Sequence, residues 1–220
     1  MSTPDSRSPR ERYAADLARP GFIADSAQAA AVDALQRVYE ELIANPPKKR
    51  LMTRRLIWPQ VPGLYLWGGV GRGKTHLMDE FFEALPFEHK LRTHFHRFMH
   101  DVHEKRRKYP DERDPLKLVA AEIASQVRLL CFDEFFVSDI ADAMILGRLF
   151  ESLFAHGVTL VATSNCAPDQ LYRDGLQRAN FLPAIAMLKN HVMVLNVDGG
   201  TDYRLRALTR AALYHCPSDA

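Results

Sequence analysis

Cysteine is scarce. Cys131, Cys166 and Cys216 are an odd number, widely spaced, with no C-x-x-C pair. That argues against a disulfide framework or a zinc ribbon and points to a reducing compartment. No run approaches the roughly 18 consecutive apolar residues of a membrane span, and Met1 to Arg12 has no apolar core of a signal peptide. The expected location is the cytoplasm, at most peripheral to a membrane. An excess of one charge is missing too: 29 basic residues against 27 acidic leave a net charge of +2. Bulk charge therefore gives no argument for nucleic acid or an anionic membrane, and any basic partner surface must be local. The base-reading N-K-x-D of GTP switches and the L-S-G-G-Q of transport ATPases do not occur either. Apolar residues are not scarce: at 47% of 220 residues they suffice for the core of one soluble α/β domain.

The stretch Gly68-Gly69-Val70-Gly71-Arg72-Gly73-Lys74-Thr75 fits G-x-x-x-x-G-K-[ST], and the strand-like run Gly63-Leu64-Tyr65-Leu66-Trp67 feeds straight into it. Glycines let the backbone curl so that successive N–H groups point inward, and the helix that follows adds its positive dipole end. Gly68, Gly69, Val70, Gly71, Arg72, Gly73, Lys74, Thr75 and His76 are the expected nucleotide contacts. Within them Lys74 would reach the β- and γ-phosphates, and the Thr75 hydroxyl would hold Mg²⁺.

Val127-Arg128-Leu129-Leu130-Cys131-Phe132 reads as a buried parallel strand that ends on Asp133-Glu134. Four apolar residues before D-E are the Walker B pattern. Asp133, at the carboxyl end of a strand near the phosphate loop, can hold Mg²⁺ directly or through water, and Glu134 can position and polarise the attacking water. Hydrolysis, beyond binding, is the expectation. Val158 to Thr163 is the next buried strand, ending on Ser164-Asn165. The Asn165 amide would face the same crevice and could hydrogen-bond the γ-phosphate or the water, although taken alone it is a turn residue. Beyond it, Arg173 and Arg178 are candidates for a finger acting on a neighbour's γ-phosphate, worth about 10³ to 10⁵ in rate where one operates. The plain alternative is a surface helix–turn with ordinary arginines.

The other segments are coarser. Residues 1–12 hold no large aliphatic or aromatic side chain after the initiator and read as a disordered lead. From Asp25 to Ala44, Ala31, Leu35, Val38 and Leu42 recur at helical spacing, with Asp25 or Ser26 as the N-cap. Thr75–Leu85, His96–Lys108 and a segment opening at Pro115 also read as helices. Asp139–Phe154 reads as another, packed through Ile140, Ala143, Met144, Gly147, Phe150 and Phe154. Leu91–Phe95 and His191–Val197 read as strands. His94, His96, His100 and His103 invite a metal reading, but the phosphate loop already explains the domain without one. Asp25-Ser26-Ala27-Gln28, ahead of the phosphate loop, is a candidate for contact with the base.

This order of elements resembles the AAA+ branch of the P-loop NTPases: an α/β fold with a parallel five-stranded sheet of order 5-1-4-3-2, helices on both faces, and a strand-end asparagine called sensor 1. The phrases Phe95-His96-Arg97-Phe98-Met99, Cys131-Phe132-Asp133-Glu134-Phe135, Ala162-Thr163-Ser164-Asn165, Gly175-Leu176-Gln177-Arg178, Phe181-Leu182-Pro183-Ala184-Ile185 and Asp202-Tyr203-Arg204-Leu205-Arg206 are more specific. They resemble the ZapE family of AAA+ ATPases, which includes mitochondrial relatives, and the likeness runs from about Tyr13 to Leu213. The resemblance implies Mg²⁺-dependent ATP hydrolysis coupled to remodelling of a protein partner, in bacterial cell division at the FtsZ ring. It also implies an ATP-dependent homo-oligomer in the cytoplasm, at most peripheral to the inner membrane at the division site. The family's roles carry over onto Gly73, Lys74 and Thr75, onto Asp133 and Glu134, onto Asn165 and, by its place in Gly-Leu-Gln-Arg, onto Arg178.

The domain reading that follows is a disordered lead at 1–12, a helical N-terminal extension at 13–57, the ATPase core at 58–200, and the truncated start of a carboxyl-terminal region at 201–220. The main rival is a nucleic-acid-associated AAA+ ATPase of the helicase-loader or initiator type, which shares this strand order. Its signal would be the basic stretches Lys48–Arg55 and His103–Arg113. A scaffold that binds nucleotide without hydrolysing it is disfavoured by the intact Asp133-Glu134 pair.

Overall fold

A computed structural model describes residues 7–20, 22, 25–49 and 56–198. Two helices come first, α1 (Pro9–Leu17) and α2 (Ser26–Ala44), followed by a short antiparallel ladder between Lys48–Lys49 and Leu56–Ile57. The remaining elements are β1 (Gly63–Trp67), α3 (Lys74–Ala84), β2 (Lys90–His94), α4 (Phe95–Arg106), α5 (Pro115–Gln126), β3 (Leu129–Asp133), α6 (Ile140–Ala155), β4 (Thr159–Ser164), α7 (Arg178–His191) and β5 (Val192–Asn196).

Alternation along the strands decides the architecture. In β1, Leu64 and Leu66 point into one buried cluster and Tyr65 into the other; Leu129 and Cys131 of β3 separate from Leu130 and Phe132 in the same way. A strand buried on both faces needs helices on both, and the parallel pairings need crossovers long enough to be helices. The first cluster is covered by α2 and α3, the second by α4, α5, α6 and α7. The parallel sheet has the order β2-β3-β4-β1-β5, which read from the other edge is 5-1-4-3-2. Trp67 of β1 lies opposite Ser164 of β4 and Asn196 of β5, and His94 of β2 opposite Asp133 of β3. All five carboxyl ends therefore fall on one edge, where such sheets place their ligands. At the other end of β1, a Cβ on Gly63 would stand 1.8 Å from the Leu160 carbonyl oxygen, so this close approach of β1 to β4 requires glycine.

Residues 9–12, expected to belong to a disordered lead, are helical instead. Ser8 Oγ accepts from the Glu11 N–H at 3.4 Å while a Glu11 carboxylate oxygen accepts from the Ser8 N–H at 2.8 Å, a complete capping box, and Pro9 takes the first helical position. Docking adds to the cap: Tyr13 is buried, and the buried Arg12 guanidinium reaches Glu80 at 3.1 Å and Glu83 at 3.3 Å on α3. Helix α2 starts as expected, with Asp25 accepting from the Ala27 and Gln28 N–H groups, and Ala31, Leu35, Val38 and Leu42 are all fully buried. The face expected for α6 is rotated. Ile140 is 36% exposed, whereas Ile145, Leu146, Leu149 and Leu153 carry the packing with Ala143, Phe150 and Phe154. Residues 50–55 of the expected basic stretch and residues 199–220 lie outside the described residues.

Candidate active site

The phosphate loop runs from β1 into α3. Gly71 and Gly73 have φ of 81° and 82°, left-handed values that side chains disfavour, and these let the chain curl before Lys74 opens the helix. Gly73 is also crowded: a Cβ there would stand 2.6 Å from Gln28 Nε2. That same amide donates to the Arg72 carbonyl at 3.0 Å, and Gln28 Oε1 is buried with no hydrogen-bond partner. The start of α2, singled out as a possible contact with the base, thus braces the back of the loop.

Lys74 is buried, and its ammonium donates to the carbonyls of Gly68 at 2.7 Å and Gly69 at 2.8 Å and to Asn165 Oδ1 at 3.3 Å. Burial pushes its pKa down, Asp198 opposes that, and the Arg72 charge adds to it. Asp198, just past β5, accepts from the Gly69 N–H at 2.7 Å and lies 3.5 Å from Arg72 Nε. It therefore ties the end of the edge strand to the loop. Sequence reasoning missed Asp198, whose setting before Gly199-Gly200 reads as an ordinary turn.

The loop after β3 is stapled to the end of β4. The Phe135 N–H donates to the Thr163 carbonyl at 2.7 Å, the Glu134 N–H to Thr163 Oγ1 at 3.3 Å, and Ser164 Oγ to the Phe135 carbonyl at 2.7 Å. From β1, the Tyr65 hydroxyl donates to the Cys166 carbonyl at 3.0 Å; burial raises its pKa, so it stays a donor. Phe135 is fully buried, with its ring centroid 4.5 Å from that of Phe95 and 5.9 Å from that of Tyr65. Between Asp133 and this anchor, Glu134 takes a φ of 52°, uncommon for a residue with a side chain and costing about 1–3 kcal/mol. The strain is local to the residue whose carboxylate the sequence singles out.

The outcome is a cleft of about 200 Å³ lined by Val70, Gly71, Arg72, Gly73, Lys74, Thr75, Glu134, Thr163, Ser164 and Asn165. Two strand ends and the loop thus bring together an ammonium, a hydroxyl, a carboxylate and an amide. Of the residues expected there, Gly68 and Gly69 contribute through their carbonyls to Lys74, and His76 and Asp133 are placed elsewhere. The His76 ring turns to Asp16, 2.7 Å away. Asp133 faces an adjacent hollow, where Arg92 holds its carboxylate at 2.8 and 3.2 Å. Arg178 opens α7 and donates to the Asp169 carbonyl at 2.6 Å.

A hydroxyl in the cleft and a carboxylate on the neighbouring strand end, without thiolate or imidazole, are the hard oxygen donors that suit Mg²⁺. The four histidines that invited a metal reading do not gather: His94 and His96 stack at 5.8 Å, while His103 bonds Asp142 at 2.7 Å. Among the described residues only Asp16, His76 and Glu80 bring three such groups together, and their carboxylates are already paired with Arg19 and Arg12.

Comparison with known proteins bears on what this cleft does. A family model described as AFG1-like ATPase matches residues 7–220. The cell division protein ZapE of Escherichia coli K12 is 51% identical over 225 residues, covering 96% of the chain. The chain spans 60% of that relative's length. Lactation elevated protein 1 homolog B of Danio rerio is 47% identical over 169 residues, with 71% of the chain and 34% of that protein covered. Among solved structures, a DnaI crystal structure superposes with a TM-score of 0.59 at 16% identity, covering 84% of the chain and 88% of its own. AMPPCP-bound DnaA from Aquifex aeolicus gives 0.56 at 15% identity, covering 86% of the chain and 52% of its own. At such identities these two speak to the fold, which is that of the AAA+ P-loop NTPases.

Proposed function

Since the chain belongs to the AFG1-like ATPase family, we propose that it hydrolyses ATP in the cleft above the phosphate loop and couples the turnover to remodelling a protein partner. The observation that carries this reading is the convergence of Lys74, Thr75, Glu134 and Asn165 on one cleft. Lys74 would turn from the Gly68 and Gly69 carbonyls to the phosphate oxygens, exchanging neutral acceptors for charged ones. Glu134 would take the water's proton or orient the water, and Asn165, whose Oδ1 faces Lys74, keeps its NH₂ for the γ-phosphate or the water. Mg²⁺ would be held by Thr75 and Asp133 and would supply neutralisation of the phosphate charge.

Arg178 does not line its own cleft, so its role in this reading is on a neighbouring copy, in an ATP-dependent homo-oligomer. A mixing experiment tests this. Glu134→Gln and Arg178→Ala chains, each impaired alone, are expected to recover phosphate release when mixed. Some interfaces then pair an intact Glu134 with an intact Arg178, and an arginine finger is worth about 10³ to 10⁵ in rate. A mixture no more active than the sum of its parts would rule out action in trans.

For the partner, the support is the ZapE relative, a cell division protein. We assign the remodelled substrate to the division machinery, with FtsZ as the first candidate, acting in the cytoplasm or at the periphery of the inner membrane. No described helix is long and apolar enough to cross a membrane. ATP-dependent co-sedimentation with FtsZ polymers is expected; binding that is absent, or indifferent to ATP, would move the substrate elsewhere. The nucleic-acid reading loses ground because much of its basic stretch is internally paired: Lys105 with Glu122, Arg107 with Glu104 and His103 with Asp142.

A further inference from the structure

Arg92 lies at the middle of β2, opposite Cys131 and two pairs before the His94–Asp133 pairing. Its Nε donates to Asp133 Oδ2 at 2.8 Å and its Nη2 to Oδ1 at 3.2 Å, a two-pronged grip on both carboxylate oxygens. The third nitrogen, Nη1, is bonded to Asp79. Asp79 stands four residues after Thr75 on α3, one helical turn along the same face. One guanidinium thus spans the acid at the end of β3 and an acid on the helix that carries the phosphate loop. Asp133 and Arg92 together line a hollow of about 520 Å³ beside the cleft, and Asp133 is not among the residues lining the cleft itself.

A carboxylate whose two oxygens are engaged by a guanidinium is a poorer ligand for a cation, because the cation must first displace two charge-assisted hydrogen bonds. Displacement here leaves no uncompensated charge, since Arg92 keeps Asp79 when Asp133 turns away. We propose that Arg92 is a positioning residue that competes with Mg²⁺ for Asp133, so that the grip on this one carboxylate sets how much Mg²⁺ the nucleotide site requires. The inference rests on the reading of Asp133 as the acid on the metal side of the site.

The test is a Mg²⁺ titration of the binding of a fluorescent ATP analogue, which reads the metal requirement without turnover. Arg92→Lys keeps the positive charge but cannot grip both oxygens, and Arg92→Gln removes the charge as well. Both are expected to lower the Mg²⁺ midpoint, by at least about threefold for the loss of a two-pronged charged contact. Asp133→Asn is expected to raise the midpoint by a similar factor, and adding Arg92→Lys to it should change nothing further. If Asp133→Asn raises the midpoint but Arg92→Lys leaves it at the wild-type value, the competition is wrong and the role of Asp133 stands. If Asp133→Asn itself leaves the midpoint unmoved, the metal-side reading of Asp133 falls and takes the competition with it.

Discussion

Replacing Lys74 by Ala is expected to weaken ATP binding by about 10- to 100-fold, the loss of one charge-assisted contact of about 1.5–3 kcal/mol. The same change should lower phosphate release further, by about 10²- to 10³-fold, because the ammonium also meets charge that develops during transfer. Two features put this residue at the centre. Its side chain is buried, and it already satisfies three acceptors, the Gly68 and Gly69 carbonyls and Asn165 Oδ1. Alanine would leave those acceptors without a donor and release the carbonyl end of the loop from the sensor strand, so both the cradle and its charge are lost. Equilibrium binding of a fluorescent nucleotide, with phosphate release measured alongside, separates the two losses. Binding at wild-type strength would mean that the phosphates lie somewhere other than this cleft.

Glu134→Gln is expected to act on chemistry alone. The amide keeps the size and shape of the side chain, so the turn with φ of 52° and the bond from its N–H to Thr163 Oγ1 should persist. What disappears is the carboxylate that accepts a proton, worth about 10²- to 10⁴-fold in general-base catalysis. Nucleotide binding should be no weaker than in the wild type, because a negative charge beside the phosphates repels them. A binding defect equal to the catalytic one would show that Glu134 holds the loop together and has no role on the water.

Much of this site is legible in the residues because it is made of local patterns. A glycine-rich run between an apolar strand and a helix, and an apolar strand closing on Asp133-Glu134, each state their chemistry within ten residues. The strand order follows from the same patterns through the resemblance they support. What was not legible depends on contacts between segments far apart in the chain. Nothing near Arg92 indicates that a strand arginine will reach across to Asp133 and Asp79, and nothing near Asp198 indicates that it will meet Gly69. The first turn of α1, residues 9–12, reads as disordered because apolar content is the criterion, whereas its stability comes from a capping box and a buried arginine paired to α3. In α6 apolar residues occur on most of the circumference, so the spacing alone does not select the face; packing against α5 and α7 selects Ile145, Leu146 and Leu149 and leaves Ile140 partly exposed.

The central claim is that the cleft between the phosphate loop and the ends of β3 and β4 hydrolyses ATP, with Glu134 acting on the water. The most direct measurement loads wild-type and Glu134→Gln chains with equal amounts of γ-labelled ATP and Mg²⁺ and follows label release in a single turnover. The expected result is release by the wild type and retention of intact ATP by the variant, at least about 100-fold slower. Equal release from equally loaded chains would contradict the account.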